Sequence, residues 1–329
     1  MILYGSDLHL TNWNDTDHFE IIINPLLKKY NKKELEKSIL ILAWDFSEQS
    51  HIIIQSMKFL LKHLPLKQIL ITFWNHDLYL SWQDKAKFNG SLDKYNFLLK
   101  TFNKIDKITV LDLNNYEHEW KVIVWNMWWY DPMKNISQHK MNILQYYGCT
   151  KDNFHNWKFL WFKINDKNYI QWKKITNCEK NELIDIFYNQ NFEKFSDKNF
   201  QNKLIKQLEA KLIETKWKEV ICISHYCPDD RIEINSEFHV NENILNNITD
   251  DNKNIYKKEI ENLFSNYFFV NNQIGKLYKK YNIKQAIYWH THYRVDWFEI
   301  DWTKYYSNPY WYNWYDWQFD ENFIIKELK

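Results

Sequence analysis

The chain has 329 residues, enough for one large domain or two, and its 43 basic side chains nearly balance 42 acidic ones. That balance leaves nucleic acid a possible partner but not one indicated by charge. The 4 cysteines, Cys149, Cys178, Cys222 and Cys227, contain no CxxC pair and exclude a disulfide scaffold. No stretch of about 18 apolar residues exists to span a membrane, and Met1-Ile2-Leu3-Tyr4 opens without the basic and apolar regions of a signal peptide. A soluble cytoplasmic protein with no membrane partner is expected.

Glycine numbers 4 and tryptophan 18, whereas glycine ordinarily makes up roughly 7% of residues. Added together, the two types come to the normal glycine share. The codon UGA is read as glycine by some genetic codes and as tryptophan by others. Many of these tryptophans are therefore expected to stand for glycine.

In chain order, Ile2 to Tyr4 is a short buried-strand pattern followed by Asp7-Leu8-His9. Alternation in an extended segment puts Asp7 and His9 on one side, able to bind a single cation. Ser38 to Ala43 is a second apolar run, ending at Trp44-Asp45, where a carboxylate can bridge two metals through its two oxygens. Gln49 to Leu64 has helical spacing, with Ile53, Met57, Leu60, Leu61 and Leu64 on one face. Gln68 to Phe73 leads into Trp74-Asn75-His76-Asp77, and Val122 to Val124 is a further strand pattern.

From about 135 to 218 a lysine- and asparagine-rich, mostly helical stretch interrupts the alternation, as an insertion within a single domain over 1–329. In it, Phe200, Leu204, Leu208 and Leu212 repeat at helical spacing and predict a core-facing stripe. Val220 to Ile223 precedes Ser224-His225-Tyr226, and Gln285 to Tyr288 precedes Trp289-His290-Thr291-His292, where alternation again pairs two histidines. Two last strand-like runs, Arg294 to Ile300 and Lys304 to Ser307, are joined by Asp301-Trp302, which becomes an Asp-Gly hairpin turn if residue 302 is glycine.

Taken in order, Asp7-Leu8-His9, Trp44-Asp45, Trp74-Asn75-His76-Asp77, His225 and Trp289-His290-Thr291-His292 resemble the DxH, GD, GNHD, lone-His and GHxH motifs of the calcineurin-like metallophosphoesterases. The resemblance runs from Asp7 to His292, and only the glycines depart. Val124-Trp125-Asn126-Met127-Trp128-Trp129-Tyr130-Asp131 is similar to a family segment G-x-x-G-W-Y-D, which makes Trp125 and Trp128 glycines and Trp129 a tryptophan. Asn308-Pro309-Tyr310-Trp311-Tyr312 similarly resembles an NPxGY ending, and Trp120 and Trp297 are expected at turns.

The resemblance implies the α/β class, as a four-layer αββα sandwich with two divalent metals at the strand ends. Asp7, His9, Asp45 and His292 would hold one metal, and Asp45, Asn75, His225 and His290 the other. His76 would give a proton or hydrogen bond to the leaving group while Asp77 orients it. Two cations about 3.5–4 Å apart make a hydroxide from a shared water and stabilise the phosphoryl oxygens. Mixed nitrogen and oxygen ligands suit manganese, iron or zinc better than magnesium.

Arg231 and Arg294 are the only arginines, and each follows a candidate ligand histidine, so either is a candidate clamp for a phosphate-ester substrate. Tyr226 and the loop Cys227-Pro228-Asp229-Asp230 are expected to shape the pocket rim. The expected activity is dinuclear hydrolysis of a phosphomonoester or phosphodiester. A metal-dependent nuclease is the alternative within that chemistry, and a non-catalytic binding protein the alternative if the motif tryptophans are real.

Overall fold

A computed structural model describes residues 1–6, 16–43, 46–73, 75–125, 158–159, 162–163, 198–215, 217–233, 271–288, 295–308 and 325–328. The apolar runs become the strands β1 (Ile2–Ser6), β2 (Ile39–Ala43) and β3 (Gln68–Thr72), which pair side by side in parallel. Every residue of β2 is buried, because a parallel strand covered on both faces exposes neither row of side chains. β4 (Ile108–Val110) extends this sheet, and the two-residue β13 (Lys326–Glu327) runs antiparallel to β1 at its other edge.

The second sheet has the order β11-β12-β10-β9-β6-β5, where β5 is Tyr116–His118, β6 Lys121–Trp125, β9 Glu219–Ile223, β10 Gln285–Ile287, β11 Val295–Ile300 and β12 Thr303–Ser307. Its four central strands are parallel, and β11 and β5 add antiparallel edges. The sheets meet in one hydrophobic core, where the ring of Tyr4 on β1 packs edge-on against Tyr306 on β12 at 6.2 Å.

Helices cover the sheets. α1 (Thr16–Lys29) packs on α3 (Ser50–His63), which sinks Ile53, Met57 and Leu60 as its spacing predicts. The helices α2 (Lys32–Glu36), α4 (Asn75–Leu78), α5 (Trp82–Lys87) and α6 (Ser91–Phe102) complete this half, with α6 against β4. Within the stretch 135 to 218 the described residues are a two-stranded antiparallel ladder, β7 (Lys158–Phe159) and β8 (Phe162–Lys163), and α7 (Lys198–Glu214). Leu204, Leu208 and Leu212 of α7 are buried, and the helix lies over β6 and against α9 (Asn272–Lys280). This end of the stretch is thus a layer of the main core. The short α8 (Asp230–Glu233) precedes α9. The architecture is the α/β sandwich expected.

The hairpin between β11 and β12 forms at the expected turn. Ile300 pairs with Thr303, and Asp301 and Trp302 between them have φ of 50° and 72°, the two positive values of a type I′ turn, a conformation suited to Asp-Gly. The Trp302 indole is 75% exposed. Trp120 lies in the turn between His118 and Lys121, though there the positive φ, 57°, falls on Glu119. Trp297 is in strand β11 and not at a turn; it sits where the ladder shifts register between Val295 and Phe298, a β-bulge.

Trp82 and Trp217 are strongly exposed as well, an unusual state for so large an apolar ring. Trp125 differs from all of these. Expected as glycine, it is fully buried at 0% exposure and is the largest such side chain described.

An actual glycine shows what the residue is used for. Gly275 on α9 donates its N–H to the Pro228 carbonyl at 3.0 Å, and a Cβ there would stand 2.6 Å from that oxygen.

Candidate metal centre

Strand register sets the ends of the strands that precede the motif residues in sequence. Ser6 pairs with Ala43 and Ala43 with Thr72, so β1, β2 and β3 finish level; β9 and β10 finish level at Ile223 and Ile287. Ser6 Oγ donates to the Asn308 carbonyl at 3.2 Å, joining the ends of the two sheets there. All seven expected ligands follow these ends within a few residues. Ligand sites at the carboxyl ends of parallel strands are the rule in open α/β sheets.

Asp7, His9, Asp45, His290, His292 and Arg294 lie outside the described residues. Asn75 opens α4 directly past β3. His225 is fully buried two residues past β9, its ring edge-on to Tyr226 at 4.8 Å. Among the described residues no group of three His, Cys, Asp or Glu converges as a metal site.

His76, the second residue of α4, is partly open to solvent and places Nδ1 3.5 Å from Glu48 Oε1. The imidazole at this contact holds the Glu48 carboxyl below its ordinary pKa, against the opposing effect of partial burial. The Tyr79 ring makes a second contact, with centroids 4.5 Å apart. Glu48 was missed by sequence reasoning, although an acid three residues past the expected ligand Asp45 is a signal to look for.

Asp77 is fully buried, and its Oδ1 accepts from the backbone N–H groups of Phe46 at 2.9 Å and Ser47 at 3.4 Å. It thereby ties the segment after Asp45 to the segment carrying Asn75 and His76.

A second carboxyl steadies the same strand end. Asp112 accepts from the Phe73 N–H at 3.3 Å and from the Tyr95 hydroxyl at 3.0 Å, with the Trp125 indole beside it. Burial pushes its pKa up to about 7, although these donors and the Lys211 charge pull the other way. Nothing in the sequence around Asp112 marks it, because its partners come from β3, α6 and the second sheet.

Arg231 is already occupied. Its Nε and one terminal nitrogen form a fork on Asp229 at 2.8 and 2.6 Å, and that terminal nitrogen also reaches Asp301 at 2.8 Å. Asp301 takes Lys279 besides, at 3.2 Å. Arg231 thus ties α8 to the β11–β12 turn and α9, a structural use of the guanidinium fork. Tyr226 and Cys227 are buried and form no open rim.

No family model matches the chain, and no curated protein sequence matches it. Among solved structures, a phosphopantetheinyl hydrolase from Mycobacterium tuberculosis superposes with a TM-score of 0.60 at 11% identity, over 99% of this chain and 95% of that one. The two share a fold. Among the described residues no helix is long and apolar enough to cross a membrane.

Proposed function

We propose that the chain is a phosphoester hydrolase dependent on two divalent cations. What supports the reading is the strand register, which ends β1, β2 and β3 level with one another and β9 level with β10, so that the motif residues follow level strand ends in sequence, and the contact of His76 with its acid partner Glu48. Asp7, His9, Asp45 and His292 would hold one cation, and Asp45, Asn75, His225 and His290 the other. A buried imidazole at a strand end and this mixed donor set fit manganese, iron or zinc. Bound cations supply an activated water and neutralise phosphoryl charge.

The chain's own groups do the rest. His76, oriented by Glu48, gives a proton or hydrogen bond to the leaving oxygen. Asp77 keeps the Asp45 segment in register with Asn75. Arg294 is the proposed clamp on the substrate phosphate, since Arg231 is held by two carboxylates.

The reading includes glycine at 44, 74 and 289. Supporting it, the tryptophan at 302 occupies a turn that glycine fits, and the one at 297 a bulge. The coding DNA at these positions tests it directly: TGA codons support glycine and TGG codons refute it.

The activity test uses the glycine-restored chain loaded with manganese, on aryl phosphate mono- and diesters, a phosphopantetheinyl ester and single-stranded DNA. The phosphopantetheinyl ester is included because the protein of like fold is a phosphopantetheinyl hydrolase. About two metal equivalents and ester cleavage are expected. Asp45→Asn should abolish turnover, and His76→Ala should slow it about 100-fold with metal content intact. Loss of metal in His76→Ala contradicts its role, and turnover of DNA above the small esters makes the chain a nuclease. Metal-free binding without turnover, together with TGG codons, makes it a binding protein.

A further inference from the structure

Two neighbours of His76, Glu48 and Tyr79, share an anchor. Lys94 on α6 has no exposed side-chain surface, and its Nζ donates to the Glu48 carbonyl at 2.8 Å and the Tyr79 carbonyl at 2.7 Å. Its third contact is Asp84 Oδ2 at 3.0 Å. An ammonium has three donors, so each is matched to an acceptor and none is left for a substrate. Asp84 also accepts from Ser50 N–H at 3.1 Å and Ser50 Oγ at 2.7 Å, which carries the network to the first residue of α3. The segment bearing Glu48 is therefore held at both ends, by Asp77 before it and by Lys94 and Asp84 behind it.

A buried ion pair contributes little net stability, because desolvation of both charges offsets their attraction. Stability alone thus gives a weak reason for a lysine here. Placement gives a better one: the two carbonyls that it joins belong to two residues that touch the His76 ring, one through a carboxylate and one through a ring face.

We propose that Lys94 is a positioning residue for His76, a buried ammonium that fixes the spacing of Glu48 and Tyr79 and through them the orientation of the imidazole. The proposal rests on the phosphoester-hydrolase reading for its kinetic consequence and on geometry alone for its structural one.

Lys94→Met by itself leaves Asp84 charged and uncompensated, and it is expected to fold poorly. The test is Lys94→Met/Asp84→Asn, which removes both charges and keeps an acceptor for Ser50. A melting temperature within a few degrees of the parent, two bound metal equivalents and an unchanged KM are expected, with kcat reduced about 10- to 100-fold. A second variant, Lys94→Gln/Asp84→Asn, retains a donor for one carbonyl and should fall between the two.

Parental kcat in either folded, metal-loaded variant overturns the proposal. Should the parent chain show no metal-dependent hydrolysis, the functional reading fails separately, and the crystal structure of the Met/Asn variant decides the positioning. Separation of Glu48 from His76 beyond hydrogen-bond reach supports it; an unchanged Glu48–His76–Tyr79 arrangement overturns it.

Discussion

Replacing Trp302 by glycine should stabilise the chain as written. At φ 72° a residue with a Cβ is in the left-handed region, which costs an L-residue about 1–2 kcal/mol. Glycine is free of that strain but loses more chain entropy on folding, by up to about 1 kcal/mol. The indole is 75% exposed, so little burial is given up. The net gain is about 1 kcal/mol. With an unfolding entropy of about 2.1 cal/mol/K per residue over 329 residues, this raises the melting temperature by about 1–2 °C, and a urea midpoint measures it better.

Trp125→Gly is the matched control. It empties a fully buried site and should cost about 4–5 kcal/mol, from the lost packing and the weaker strand. A lower urea midpoint for Trp302→Gly refutes the turn argument. Equal effects at 302 and 125 refute the division of the tryptophans into those that the fold uses and those that it does not.

Asp112 predicts a pH dependence. Its folded pKa is raised from 3.8 to about 7, so its contribution to stability is complete below about pH 4 and is lost as the pH rises through 7, roughly 4 kcal/mol in all. Asp112→Asn keeps an acceptor oxygen for the Phe73 N–H and offers its amide N–H to the Tyr95 hydroxyl oxygen, and it should flatten this loss when urea midpoints are compared at pH 5 and pH 8; identical slopes in both proteins would count against the buried neutral carboxyl. His118 acts in the opposite direction, since burial lowers its pKa: its contribution is present above about 6.5 and falls as acid charges the ring. His118→Leu should therefore resist acid unfolding better than the parent, and a steeper acid limb would contradict this. Gly275→Ala forces a Cβ to within 2.6 Å of a backbone carbonyl and should lower the stability read from the urea midpoint by about 1–3 kcal/mol despite the better helix propensity of alanine. A stabilised alanine variant would show that α9 can shift freely.

The central strands were legible because a parallel strand buried on both faces must be apolar throughout, and a run such as Ile39–Ala43 is too short to be a buried helix. The hairpin at 301 and 302 was legible through local turn chemistry. β13 was not, since two residues become a strand only by pairing with β1. The same division runs through the site. Residues that follow strands in sequence, from Asp7 to His292, could be proposed from order alone. Lys94, Asp84 and Asp112 could not, because a lysine inside a helix looks like a solvated one until its acceptors, two of them backbone carbonyls, are seen. The pairing of Arg231 was hidden for a similar reason, its second acid being 70 residues away at Asp301.

Leu3 pairs with Glu327, and Leu328 donates to the Ile2 carbonyl. The outer edge of the first sheet is therefore sealed by residues that the ribosome adds long after β1 itself. While the intervening chain is being made, β1 presents an unpaired row of backbone donors and acceptors, open to a strand from any other chain. The nascent protein is thus most vulnerable to aggregation until β13 emerges, and a cut just ahead of Lys326 would make that exposure permanent.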